Sequence, residues 1–232
     1  MGTCALEKLT KVRKLMKTHK WHHNTIDEVF TYLETGYSGL GSLEAKSRLD
    51  RYGLNQLLSK KKDSKLLIFI KQFHSPLIYI LLIAAIISFF VGKHINGWVI
   101  LFVLCSNATM GFIQESRAQT TMDSLKELSS PKAKVLRSGE IMDVPTKEVV
   151  PGDVVLVESG SRVPADARLI ESVRLQADEA ALTGESQPVY KLIDPVKVEA
   201  TVADRLNMLF AGTVISSGRG KAVVVSTGMN TE

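Results

Sequence analysis

The residues of this sequence best suited to chemistry stand four in a row, Thr183-Gly184-Glu185-Ser186. A carboxylate held against a water molecule aligns it and takes its proton as it attacks, so Glu185 is a candidate general base. Gly184 permits backbone conformations that other residues reach only with strain, and it lets a phosphoryl group approach closely. Thr183 and Ser186 supply hydroxyls that hydrogen-bond either the loop or the water. Such a set suits the attack of water on a phosphoryl group. Taken alone, the four residues also describe a polar surface turn. Their meaning depends on the elements that position them.

Those elements are strands. From Lys132 onward, short β-branched runs alternate with Gly, Pro and Asp: Ala133–Arg137, Ile141–Val144, Asp153–Glu158, Ala167–Glu171, Met208–Ile215 and Ala222–Ser226. Ser138-Gly139 and Ser217–Gly220 read as hairpin turns between neighbouring runs. Residues 131–232 therefore form a β domain of about 100 residues, enough for a core of its own.

Ahead of it, apolar residues crowd between Leu66 and Ile113 while both flanks are charged, the pattern of an integral membrane protein. Residues 72–92 and 97–114 are each long enough to cross about 30 Å of hydrocarbon, and together they make a transmembrane hairpin over 72–114. Pro76 falls near the start of the first span, Gly92–Gly97 forms the polar loop, and Trp98 sits where an interfacial anchor is favoured. Cys105, Ser106, Asn107 and Thr109 in the second span are expected to turn toward a protein partner rather than lipid. The helical pattern runs on through 115–130 until Pro131 ends it. Lysine and arginine crowd the N-terminal flank, whereas the connecting loop has only Lys93, which places both long arms in the cytoplasm.

Residues 1–20 read as a basic amphipathic helix, with Leu6, Leu9, Val12, Leu15 and Met16 at helical spacing, suited either to a membrane surface or to water. Residues 21–71 form a small helical unit in which Thr25 caps one helix and Ser42 starts another, too small to stand alone. The net charge of +5 is modest. Without zinc spacing or basic-aromatic interleaving it points to lipid or topology and away from nucleic acid. Cys4 and Cys105 give neither a disulfide framework nor a metal site. His19, His22 and His23 lack a carboxylate or cysteine partner at ligand spacing and read as solvated.

The twelve residues Asp178-Glu179-Ala180-Ala181-Leu182-Thr183-Gly184-Glu185-Ser186-Gln187-Pro188-Val189 resemble the actuator-domain loop of P-type ATPases. Pro151-Gly152-Asp153, Val163-Pro164-Ala165-Asp166, Asp204-Arg205, Asn207-Met208, Phe210, Gly212-Thr213 and Thr227-Gly228 follow in that family's order. The resemblance runs from about Trp21 to Glu232, its N-terminal part similar to that of calcium and sodium/potassium pumps. Ser161 stands where the family usually has aspartate and Ala180 where it commonly has serine. The resemblance implies a membrane α plus β protein: an N-terminal helical unit, a two-helix transmembrane hairpin and a cytoplasmic, mainly-β, distorted jelly-roll-like actuator. It implies that Thr183, Gly184, Glu185 and Ser186 promote hydrolysis of the aspartyl-phosphate and that rotation of the domain pulls on the membrane helices.

No Asp-Lys-Thr-Gly-Thr phosphorylation sequence occurs in the chain. The expectation is the front portion of a pump, binding no cofactor itself, with ATP and Mg2+ implied for the complete protein. Its expected partners are the lipid bilayer, the remaining C-terminal part of the pump and the transported cation, calcium as first guess. ATP hydrolysis by this polypeptide alone is not expected. The alternative is a noncatalytic, membrane-anchored module that regulates an intact pump.

Overall fold

In a computed structural model of the protein, the described residues are 19–57, 64–72, 74–128, 131–184 and 186–232. They fall into two units, one combining residues 19–57 with 131–232 and the other spanning residues 64–128. The amphipathic helix expected over residues 1–20 lies outside the described residues except for His19 and Lys20.

The first unit is built on a seven-stranded sheet of β1 (Lys132–Arg137), β2 (Glu140–Pro145), β3 (Val154–Glu158), β4 (Asp166–Asp178), β5 (Val189–Tyr190), β6 (Met208–Leu209) and β7 (Val214–Ser226). The order is β2-β1-β3-β7-β4-β5, β6 pairs with β4, and every pairing is antiparallel. Strand alternation buries two faces at once. Val155, Val157, Leu169, Ala222 and Val224 enter one core, whereas Val154, Met208, Phe210, Val223 and Val225 enter another.

The expected hairpin turn at Ser217–Gly220 is corrected. These residues lie inside β7, which runs antiparallel to β4 along its length with irregularities between Val173 and Gln176. Arg174 takes a φ of 50° and Gly218 one of +79°. A Cβ on Gly218 would collide with the Arg174 carbonyl, so glycine there marks two backbones pressed together at a bulge rather than a reversal of the chain.

The second core is closed by the N-terminal segment. Helix α1 (Ile26–Leu33) presents Val29, Phe30 and Leu33, which with Trp21 cover the sheet. Thr25 and Glu28 form a reciprocal capping box: Thr25 N donates to Glu28 Oε2 at 2.9 Å, and Glu28 N donates to Thr25 Oγ1 at 3.4 Å. Helix α2 (Ser42–Tyr52) adds Ala45, which joins Leu40 and Val150 in a third cluster.

Arg48 of α2 is buried and ties three segments together. Nη1 donates to Leu33 O at 2.7 Å and to Pro151 O at 3.0 Å, Nη2 to Glu34 O at 3.2 Å, and Nε to Glu44 Oε1 at 2.8 Å.

The reading of the histidines as solvated holds for exposed His23 and is corrected for His22. His22 is buried, with Nε2 at 3.3 Å from Val198 O, and burial pushes its pKa down. The His19 ring lies 4.2 Å from that of Trp21 and 4.6 Å from that of Tyr32. Sequence spacing sees ligand patterns but not the aromatic and backbone groups a fold supplies from 176 residues away.

The second unit contains α3 (Lys65–Gln72), α4 (Pro76–Phe90) and α5 (His94–Leu128). The span expected over 72–92 is not one helix. Pro76 opens α4, and Ser75 before it is extended at φ −134°, because the proline ring disfavours a helical predecessor. The span expected to begin at 97 begins earlier. The turn is confined to Val91–Lys93, and α5 continues unbroken for 35 residues. Gly97 lies inside α5 against the Phe89 ring, which meets the Trp98 ring edge-on at 5.7 Å.

Residues His94–Met122 are long and apolar enough to cross a bilayer, whereas the apolar helix Ile78–Phe90 is shorter. Leu104 and Ala108 are buried four residues apart, while Cys105, Ser106, Asn107 and Thr109 are exposed. These polar side chains therefore do not face the packed side of the helix group, and the Thr109 hydroxyl is satisfied by its own helix, donating to Cys105 O at 2.7 Å.

Candidate functional site

Thr183 and Gly184 stand at the end of a short helical turn, α6 (Ala180–Thr183), that leaves the last residue of β4. Its hydrogen bonds originate largely from one residue. The Glu179 carbonyl accepts Leu182 N at 2.8 Å, Thr183 N at 3.0 Å and the Thr183 hydroxyl at 3.1 Å. Asp178 Oδ1 accepts Ala180 N at 3.1 Å, so the chain is turned back immediately beyond the strand. Gly184 follows with φ +77° and its N–H donating to Ala180 O at 2.9 Å, a left-handed closure that glycine makes without strain. The chain returns through exposed Ser186, Gln187 and Pro188 to β5. Glu185 itself lies outside the described residues. Thr183, Gly184 and Ser186 are thus brought to one loop tip, presented away from the sheet cores.

Beneath the tip lies a pair that residue spacing did not single out. Glu179 and Lys191 have fully buried side chains, and Lys191 Nζ approaches Glu179 Oε1 to 2.5 Å. The ammonium also lies 5.5 Å from the centre of the buried Phe210 ring. Burial pushes the Glu179 carboxyl up and the Lys191 ammonium down, while the attraction between them opposes each shift. The Lys191 backbone is fixed as well: its N–H donates to Leu175 O at 2.9 Å, and Ser172 Oγ donates to its carbonyl at 2.9 Å. Sequence alone offers no signal for such a pair, because a lysine after a two-residue strand resembles any surface lysine.

The other residues noted in the sequence hold the scaffold. Asp153 accepts a two-pronged bond from Arg137, at 2.8 Å from Nε and 2.7 Å from Nη2, and caps Val150 N at 3.0 Å. Asp166 accepts Ala211 N and Glu232 N, both at 2.8 Å, and burial raises its pKa to about 6 despite them. Asn207 Nδ2 donates to His22 O and Asp194 O at 2.8 Å each, tying the N-terminal segment to the loop after β5. Buried Arg168 reinforces that tie through Asn24 O at 3.2 Å and Ile193 O at 2.9 Å. At the departures, the Ser161 hydroxyl accepts Glu158 N at 3.1 Å, and Ala180 opens α6 without a side-chain hydrogen bond of its own.

Comparison with known proteins places similarity along most of the chain. Residues 127–232 match the P-type ATPase actuator domain, and residues 21–88 match the cation transporter/ATPase N-terminus. A calcium-transporting ATPase of Listeria monocytogenes is 41% identical over 205 residues, 88% of this chain and 23% of the relative. A calcium-transporting ATPase of Bacillus subtilis is 44% identical over 194 residues, 83% of this chain and 22% of the relative. A probable cation-transporting ATPase F of Mycobacterium tuberculosis is 42% identical over 213 residues, 91% of this chain and 24% of the relative. The chain thus spans less than a quarter of the length of each.

Proposed function

The chain belongs to the cation-transporting P-type ATPases and carries their N-terminal region and actuator domain, and from that premise we propose that its Thr183–Ser186 loop completes the active site that dephosphorylates the pump. In the proposed step, Glu185 takes a proton from water as the water oxygen bonds to phosphorus. The bond from phosphorus to the aspartyl oxygen breaks, and inorganic phosphate leaves, restoring the carboxylate. Thr183 and Ser186 orient the loop and the water, and Gly184 leaves room for the phosphoryl group. The phosphorylated aspartate, ATP and Mg2+ belong to the complete pump. The cation is proposed to be calcium, as in the calcium-transporting ATPases of Listeria and Bacillus that the chain resembles.

The observation that carries this reading is the exposed tip of Gly184 and Ser186 on a turn braced by Glu179, which presents reactive groups outward from a fixed base. The test is decay of the phosphoenzyme in the complete pump. Glu185→Gln is expected to slow decay by about 10²- to 10⁴-fold while phosphorylation continues. Decay at the wild-type rate would remove Glu185 from the mechanism.

We further propose that α4 and α5 form a transmembrane hairpin with both long arms cytoplasmic, and that α5 carries actuator movement into the membrane. At 1.5 Å per residue its 35 residues extend about 52 Å, far more than a bilayer needs. An unbroken helix transmits displacement, so a flexible glycine tract inserted near Thr120 is expected to uncouple transport from phosphoenzyme turnover. Intact transport in that variant would sink the idea.

A further inference from the structure

We propose that the buried Glu179–Lys191 pair is a clamp across the neck of the Thr183–Ser186 loop, making both residues positioning residues for the dephosphorylation step proposed above. Glu179 stands on the outgoing leg, immediately after β4, and Lys191 on the returning leg, immediately after β5. Their 2.5 Å contact closes a loop of eleven intervening residues at its base.

Each partner is also held independently of the contact. The Lys191 backbone is hydrogen-bonded to Leu175 and Ser172, and its ammonium lies beside the Phe210 ring. The Glu179 carbonyl receives three donors from the turn that carries Thr183. A displacement of Glu179 therefore moves Leu182 and Thr183 with it, and Gly184 follows through its bond to Ala180.

Stability alone gives little reason for charges here. Burying two ions costs several kcal/mol before their attraction is counted, and apolar residues of similar volume are often as stable. What an ion pair adds is an obligatory partner. The two charges meet at 2.5 Å without hydrogen-bond alignment, and once buried each has the other to offset its burial, so the two legs are held to one another in a way that interchangeable apolar contacts do not provide. The loop needs that precision, since misplacing a catalytic group by about 1 Å costs on the order of 100-fold in rate.

The inference rests on the catalytic reading of the loop, and the experiment separates the two. In the complete pump, phosphoenzyme formation, phosphoenzyme decay and thermal stability are measured for wild type, Glu185→Gln and the double variant Glu179→Met/Lys191→Met. The double variant is expected to match wild type in melting temperature and phosphoenzyme formation, with decay slowed about 10- to 100-fold. Restored decay in the swapped pair Glu179→Lys/Lys191→Glu supports the clamp directly. Wild-type decay in the double variant, with Glu185→Gln slow, overturns the clamp alone. Wild-type decay in Glu185→Gln overturns the catalytic reading and the clamp with it. If the double variant does not reach the membrane, Glu179→Asp carries the test: it keeps the charge one methylene short, is expected to slow decay several-fold, and overturns the clamp if it does not.

Discussion

Arg48→Met is expected to be among the most damaging single changes in the first unit. The last carbonyls of a helix have no intrahelical partners, and Arg48 supplies donors to Leu33 O and Glu34 O at the end of α1 while holding Pro151 O. Methionine keeps much of the stem's volume but no donor, stranding the Leu33 and Pro151 carbonyls, whose bonds are buried, while the carbonyl of exposed Glu34 turns to water. At about 1–3 kcal/mol for each stranded group, with partial relaxation, the cost comes to about 3–5 kcal/mol. Such a loss is a large share of a domain's total stability and lowers its melting temperature by about 10–20 °C. The assay is thermal unfolding of the detergent-solubilised chain in a Trp98→Phe background, so that Trp21, packed in the core that α1 closes, reports on this unit. Arg48→Lys, with one charge but no planar fork, is expected to fall between. Arg51→Met, on an exposed position of the same helix, serves as control. A loss below about 1 kcal/mol for Arg48→Met would refute the claim that these bonds hold α1 to the sheet domain.

Two further outcomes are expected. Asp166, raised to about 6 from an ordinary 3.8, binds a proton more tightly folded than unfolded, so stability is gained as pH falls and lost as pH rises through 6. Between pH 7 and pH 5 the gain from this group is about 1 kcal/mol, read as the difference between denaturation midpoints of wild type and Asp166→Asn; an identical pH dependence in the two proteins refutes it. Gly218→Ala combines a positive φ with a collision against the Arg174 carbonyl and is expected to cost about 2–3 kcal/mol, whereas an unchanged melting temperature would show that the β4–β7 bulge yields freely.

Local chemistry that the chain declares within a few residues was legible in the sequence. The Thr25 cap, the Ser138-Gly139 turn and the runs that became the first four strands depend on near neighbours, whereas Met208–Ile215, read as one run, is broken after Leu209 and resumes as strand at Val214. What sequence could not show were consequences of distant partners. Ser217–Gly220 has the composition of a turn, yet β4 holds it as strand; His22 looks soluble until Val198 and the sheet close over it. Gly92–Gly97 resembles a six-residue loop, but three residues suffice because Gly97 admits the Phe89 ring. Lys191 gave no hint of burial, since what makes it interior is Glu179, Phe210 and the edge of β4 meeting there.

The interleaving of the first unit also dictates how it is made. Its opening segment packs against strands that follow only after the helices of the second unit, and the bond between His22 and Val198 joins residues 176 apart. At about 5–20 residues per second, synthesis separates them by on the order of ten to thirty seconds. Throughout that interval Trp21, Val29, Phe30 and Leu33 have no sheet to cover. The nascent chain must therefore carry an unsatisfied apolar helix through the synthesis of the whole second unit, which makes this stretch a natural client for a chaperone and a point where a ribosomal pause would alter yield without altering the finished protein.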